Sequence, residues 1–398
     1  MQAKFPPLSI KLPEHDHGMA SATQCRIRAL LLRYFFRGSP SGEVDAISGQ
    51  VDPTCHYRCV QQGACVSENY NPFARGRFPV GVRTAKFTDN TRQERTLPFE
   101  WWYPAADECR GQDTGLSSQD VFSASASGQP LTQAAVRNAR VREGRYPLIV
   151  FSHTSNGHRR QATFFCTHLA SHGYVVSAVD HVGNTVVELE ERNRRAADGN
   201  PLTEGERTAL IQRIIADRVP DIRAILNHLL QRLPNHIDTE QVGLVGWSFG
   251  GWTVLAAPEV DERIRAVVAM APAGCSNPLP GIIPAKLTFQ WKQECPTLFL
   301  VAERDQATPL DGMYELFDRT PSQRRMLILC GADHGHFGDQ IDAPGQCSKE
   351  QAHTFVKSLS LAHFDDVLKG SPKGRAFLSD DLETLLSTQG VNAVLHKP

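Results

Sequence analysis

No run of eighteen or more apolar residues occurs in the 398-residue chain, so no segment has the composition of a membrane-spanning helix. Net charge is scarce too: 42 Lys and Arg against 43 Asp and Glu leave −1 at pH 7, with no basic block. That balance removes the electrostatic case for nucleic acid or an anionic membrane and points to a small molecule as partner. No stretch reads as a secretory leader either. The nearest stretch, Ala29-Leu-Leu-Leu-Arg-Tyr-Phe-Phe36, is short, broken by Arg33 and lacks a small-residue cleavage site, so the expectation is an unexported, cytoplasmic chain. Ten cysteines keep a periplasmic or secreted location open, with Cys275/Cys295 and Cys330/Cys347 as the pairs whose loops suit a disulfide in an oxidising compartment. Metal spacing is also lacking: Cys55-x3-Cys59-x5-Cys65 with His56 matches no common zinc pattern, and neither metal nor organic cofactor is expected.

What is present is an alternation of buried strands and amphipathic helices. An apolar content of 41% supports a large core. Residues 1–75 are turn-rich and read as an irregular extension, 76–373 as the catalytic domain and 374–398 as a tail with one short helix near Leu382 to Leu386. Two strands, Val80 to Phe87 and Thr96 to Tyr103, open as an antiparallel pair, followed by a polar loop from about 105 to 145. Six further apolar runs begin at Pro147, Tyr174, Val242, Ala266, Thr297 and Met326 and alternate with helical segments. The expectation is an α/β fold with a mostly parallel eight-stranded sheet and helices on both faces. Thr203-x-x-Glu206 and Ser348-x-x-Gln351 read as capping boxes, and Pro220 is expected to break the helix that holds it into two.

Within that alternation, Gly246-Trp-Ser248-Phe-Gly250, extended by Gly251, lies between the run Val242-Gly-Leu-Val245 and the helix-like Trp252-Thr-Val-Leu-Ala-Ala. This is the layout of a nucleophile elbow. A serine hydroxyl attacks only if a sharp strand-to-helix turn lifts Oγ above the sheet and aims backbone N–H groups at the oxyanion that forms. The α/β-hydrolase arrangement then asks for an acid and a histidine, in that order, each beyond a strand end.

Asp305 follows the strand Thr297 to Val301 and would orient the base, with Glu303 as the local competitor. His334 follows the strand Met326 to Leu329 and would be the general base, with His336 two residues farther from the strand end as its rival; Asp333 and Asp339 read as loop-structuring. The oxyanion donors are expected to be the N–H of Phe249 and that of Thr154 or Ser155, in the loop Ser152-His-Thr-Ser-Asn-Gly157. His153 reads as a turn brace. The insertion from Ala273 to Gln293 could be either an apolar wall or lid, or simple core packing.

These motifs together resemble bacterial predicted dienelactone hydrolases and platelet-activating-factor acetylhydrolase-like esterases. The likeness runs through Phe78-Pro-Val-Gly-Val-Arg-Thr84, Leu97-Pro-Phe-Glu-Trp-Trp-Tyr-Pro104, Leu148-Ile-Val-Phe-Ser-His153, Leu169-Ala-Ser-His-Gly-Tyr-Val-Val176, the elbow, and His334-x-x-Phe337-x-Asp339, covering about residues 78 to 370. It implies a nucleophile at Ser248, an acid at Asp305, a base at His334 and oxyanion amides at Phe249 and Ser155. The activity implied is a serine carboxylic ester hydrolase acting on short- to medium-chain esters through an acyl-enzyme, with a peptidase or amidase, or a non-catalytic binding protein, as alternatives. Dienelactone hydrolases proper carry cysteine at the elbow, so lactone specificity is not implied. Thr154 stands where the acetylhydrolases usually place glycine. Trp247 gives a G-W-S string shared with prolyl-oligopeptidase-like peptidases, whose propeller repeats this chain lacks.

Overall fold

In the computed structural model, residues 70–125, 128–341, 346–379 and 381–397 are described. The extension up to residue 69, with the cysteine cluster at 55–65, lies outside them. Strands β1 (Val80–Asp89) and β2 (Arg95–Pro104) form the opening antiparallel pair, with Val80 opposite Pro104. The polar stretch after them holds β3 (Asp120–Phe122), β4 (Leu131–Gln133) and β5 (Val136–Arg137). Alternation follows: β6 (Tyr146–Ser152), α1 (Thr163–Ser171), β7 (Val175–Val179), α2 (Val186–Ala197), α3 (Glu204–Arg232), β8 (Ile237–Trp247), α4 (Phe249–Ala256) and β9 (Ile264–Met270). Then come β10 (Thr297–Ala302), α5 (Leu310–Arg319), β11 (Arg324–Leu329), α6 (Lys349–Val367), α7 (Pro372–Ser379), α8 (Leu382–Ser387) and β12 (Ala393–His396).

The main sheet has the order β12-β11-β10-β9-β8-β6-β7-β2-β1-β5, and β6 to β11 pair in parallel throughout. Side chains alternate between its two faces as the strand period demands. Ile149 and Phe151 join the cluster under α1 and α6, whereas Leu148 and Val150 join the one under α3, α4 and α5. The fold is thus an α/β-hydrolase-like layer of helices on each side of a mixed, mostly parallel sheet.

Three expectations need correction. The sheet has ten strands, not eight, because β5 and β12 are too short for a period to show in the sequence. Pro220 does not divide α3, which runs unbroken over 29 residues. The proline forfeits one intrahelical bond, but Ile214, Ile222, Ile225, Leu226 and Leu229 bury both halves against the sheet. The segment 374–398 is no mere tail: β12 pairs antiparallel with β11, and Phe377 packs edge-on against Tyr70 and Phe73 of the supposed extension. In the insertion, Ala285, Leu287 and Phe289 are buried in the α3-side core, so packing is its main role. Both capping boxes are present as read, at Thr203 with Glu206 and at Ser348 with Gln351. Cys109, Cys166, Cys275, Cys295 and Cys347 are free thiols, and no described helix is long and apolar enough to cross a membrane.

Candidate active site

Ser248 sits at the turn between β8 and α4 with φ 59° and ψ −116°, a conformation that costs an L-residue about 1–3 kcal/mol. The surrounding backbone enforces it. Ser248 N–H donates to Met270 O at 2.9 Å, and its carbonyl accepts from Ala273 N at 2.9 Å and Trp252 N at 3.1 Å. The flanking glycines are steric necessities: a Cβ on Gly246 would lie 2.1 Å from Gly250 O, and one on Gly250 would lie 2.0 Å from Ser152 O. α4 buries nearly its whole circumference, so the turn rests on a rigid support.

Beyond β10, Asp305 is buried and accepts four hydrogen bonds: from Ala307 N and Thr308 N on Oδ1, and from Thr308 Oγ1 and His334 Nδ1 on Oδ2. The His334 contact is 2.7 Å. Burial works against ionisation, but the bonds from His334 and Thr308 outweigh it and hold Asp305 below the usual carboxylate range. The imidazole is partly exposed beside the elbow, its ring 5.9 Å from that of Trp247. Ser248 Oγ itself makes no hydrogen bond among the described residues.

The rivals occupy other roles. His336 is fully buried, with Nε2 donating to Cys347 O at 3.1 Å and Nδ1 beside Asp333. Glu303 accepts Gly331 N at 2.7 Å and braces the turn after β11. Asp339 accepts from Thr163 N, Thr163 Oγ1 and Phe164 N, tying the histidine loop to the first turn of α1, whose orphan N–H groups need such an acceptor. Burial pushes its carboxyl up to about 6 despite those donors.

For the oxyanion, Phe249 opens α4 and its N–H has no partner one turn back. In the facing loop, Thr154 N–H is already spent on Gln161 Oε1 at 3.0 Å, whereas Ser155 N–H makes no hydrogen bond among the described residues. Of the two amides left open by the sequence, Ser155 is the one available.

Under this loop lies a network that sequence reasoning missed. Ser152 Oγ, His181 and Asp221 form a serine–histidine–aspartate chain with contacts of 3.0 and 3.1 Å. All three are buried, so no substrate carbonyl reaches this serine. Burial and the nearby Arg218 push His181 down to about 4, leaving the ring neutral. Burial likewise opposes ionisation of Asp221, yet Arg95 and His181 hold it well below its ordinary value. One signal was readable in advance: Arg218 lies four residues after Ile214 and four before Ile222, a charge on the apolar stripe of a helix. Among the described residues, no three His, Cys, Asp or Glu side chains are grouped to hold a metal ion.

Comparison with known proteins follows the same geometry. The family model described as the dienelactone hydrolase family matches residues 134–362, and that described as platelet-activating factor acetylhydrolase, isoform II, matches residues 66–190. A platelet-activating factor acetylhydrolase from Cavia porcellus is 25% identical, the alignment covering 61% of this chain and 63% of that protein. Its counterpart from Bos taurus is 27% identical over 71% of each. The chain thus spans a little under two thirds of the first relative's length. In fold, it is similar to a ferulic acid esterase from Streptomyces cinnamoneus, with a TM-score of 0.59, 20% identity, and coverage of 81% of this chain and 98% of that one.

Proposed function

The chain belongs to the dienelactone hydrolase family, and from that premise we propose that it is a serine carboxylic ester hydrolase working through an acyl-enzyme, with Ser248 as nucleophile, His334 as base and Asp305 as orienting acid. The observation that carries this reading is the 2.7 Å Asp305–His334 pair standing beyond β10 and β11, beside a serine held at positive φ on the β8–α4 turn.

In the first half-reaction Ser248 Oγ attacks the ester carbonyl while His334 Nε2 takes its proton. Asp305 keeps the other proton on Nδ1 and stabilises the imidazolium. Negative charge on the carbonyl oxygen is received by the N–H groups of Phe249 and Ser155. Collapse of the tetrahedral species expels the alcohol, which leaves with the proton from His334. Water then attacks the acyl-serine by the same route and releases the acid. The Oγ–Nε2 contact forms with substrate bound, as it does in many hydrolases whose empty sites are loose. The relatives are named for acetyl hydrolysis, and the corresponding substrate here is a small-molecule ester with a short to medium acyl chain.

Fluorophosphonate labelling followed by peptide mapping tests the assignment. Label on Ser248, together with loss of label and of p-nitrophenyl acetate turnover in Ser248→Ala at nearly unchanged thermal midpoint, is the expected result. A label on another serine, or none on the folded wild type, removes it.

A further inference from the structure

We propose that Arg218, far from the nucleophile in sequence and fully buried, is a positioning residue for the oxyanion hole: it grips the Thr154 carbonyl and thereby aims the Ser155 N–H. The proposal rests on the esterase reading above. Thr154 O and Ser155 N–H are the two ends of one peptide plane, and in a trans peptide they point in opposite directions, so fixing one fixes the other.

Two side chains hold that carbonyl at short range, and the Gly157 N–H closes the turn on it from farther off, at 3.2 Å. Arg218 Nη2 donates to Thr154 O at 2.8 Å, and His153 Nδ1 lies 2.7 Å from the same oxygen. The tautomer of His153 follows from its other nitrogen, which accepts His181 N–H at 3.0 Å and so carries no proton, leaving the proton on Nδ1. Burial, with Arg218 and His181 nearby, keeps this histidine neutral well below its ordinary range. Arg218 Nη1 also donates to His153 O at 2.6 Å, and Nη2 reaches Asn184 Oδ1, whose amide nitrogen donates to Ser155 Oγ at 3.1 Å. The guanidinium further lies over the Phe249 ring, 4.8 Å from its centroid. One cation therefore touches both segments that carry the oxyanion donors.

Its partners show why a charge is placed here. Among the described residues Arg218 makes no ion pair: the neighbouring Asp221 carboxylate is taken by Arg92, Arg95 and His181. A buried guanidinium satisfied only by neutral oxygens is costly, and an apolar side chain of similar volume would fill the space without that cost. What it supplies in return is positive charge behind a peptide whose N–H faces the site, in a region where little solvent screens it. Burial lowers its pKa to about 9, which leaves it charged at neutral pH.

The test compares wild type, Arg218→Met and Arg218→Lys in kcat and KM for p-nitrophenyl acetate, and in Ki for a trifluoromethyl ketone, which adds to the serine to give a charged oxyanion. Losing a donor outright costs roughly a hundredfold to a thousandfold in kcat, and a misaimed donor less, so Arg218→Met is expected to lose about tenfold to a hundredfold with KM within about threefold. Ki should weaken by the same factor as kcat, and the lysine variant should recover part of both. An unchanged kcat in folded Arg218→Met overturns the proposal. So does a kcat loss with unchanged Ki, or one that burst titration assigns to fewer competent sites. If the methionine variant does not fold, Arg218→Lys carries the comparison: matched losses in kcat and Ki are expected, and wild-type values in both refute it. Wild-type protein that neither turns over ester nor binds the ketone brings down the esterase reading itself, and the proposal with it, before any variant is measured.

Discussion

Replacing Asp305 with asparagine changes one atom, and the structure dictates where that atom goes. Oδ1 is held by two fixed backbone donors, Ala307 N and Thr308 N, both at 2.8 Å. Oδ2 faces partners that can adapt: the Thr308 hydroxyl at 2.8 Å and His334 Nδ1 at 2.7 Å. The amide oxygen must therefore keep the Oδ1 position, and the NH2 group turns toward the imidazole. Thr308 Oγ1, 3.3 Å from Ala271 O, can direct its proton there and accept instead. His334 has no such neutral escape: an NH2 donor at Nδ1 forces its proton onto Nε2, the nitrogen that must receive the serine proton. With the geometry intact but the tautomer wrong, loss of the orienting acid costs on the order of ten-thousandfold in kcat. That is about 5.4 kcal/mol of barrier. The fold loses only charge assistance in bonds that are still made, about 1–2 kcal/mol, so the thermal midpoint should fall by only a few degrees. Steady-state kinetics on p-nitrophenyl acetate with a parallel melting curve checks both numbers. A folded Asp305→Asn enzyme within tenfold of wild-type kcat refutes the reasoning, as does a larger kcat loss in Glu303→Gln, whose carboxylate only braces Gly331.

The two histidines should separate in the same assays. His334→Ala is expected to lower kcat by about a hundredfold to ten-thousandfold at unchanged stability, and His336→Ala to lower stability first, by about 1–3 kcal/mol, through its lost Cys347 contact; the reverse pattern makes His336 the base. Gly250→Ala should leave little folded protein, since its Cβ meets Ser152 O at 2.0 Å, whereas Gly205→Ala in the exposed first turn of α3, with nothing within 4 Å, should gain about 0.5–1 kcal/mol. Equal urea midpoints for the two variants would refute the steric account of the elbow. Asp339 titrates higher in the fold, at about 6, than the ordinary 3.8, so the native state binds the extra proton and stability should decline as pH rises from about 4 to 6. Asp339→Asn removes that slope, worth at most about 3 kcal/mol, and parallel urea midpoints for both proteins across pH 4 to 7 would contradict it.

The elbow, the eight principal strands and both capping boxes were legible because each is local: a period, a turn residue or a cap is written within a few positions of itself. The placement of Asp305 and His334 just past strand ends was legible for a related reason. β5 and β12 were not, because two and four residues carry no period and form only by pairing with strands distant in sequence. Pro220 misled because propensity speaks for one residue, while α3 is held by apolar burial on both sides of the proline, from Ile214 to Leu229. The choice between Thr154 and Ser155 turned on Gln161, seven residues on, whose side chain consumes one amide and leaves the other. No spacing rule encodes that selection.

Oxyanion donors work because they do not move during the reaction, so whatever holds the loop 152–157 still is part of the chemistry. It is held from two directions. From the α3 side, Arg218 and His153 fix the Thr154 carbonyl. From the α1 side, Gln161 Oε1 takes Thr154 N–H, and the Gln161 carbonyl accepts Asp339 N–H at 2.9 Å. Asp339 in turn closes the histidine loop onto α1. The loop that holds the proposed donor and the loop that carries the proposed base are therefore anchored at the same helix end, and a displacement of either is passed to the other through Gln161. Losses at Gln161 and at Arg218 should then not add simply in kcat, because the two side chains grip the adjoining peptides that meet at Thr154, Gln161 by its N–H and Arg218 by its carbonyl.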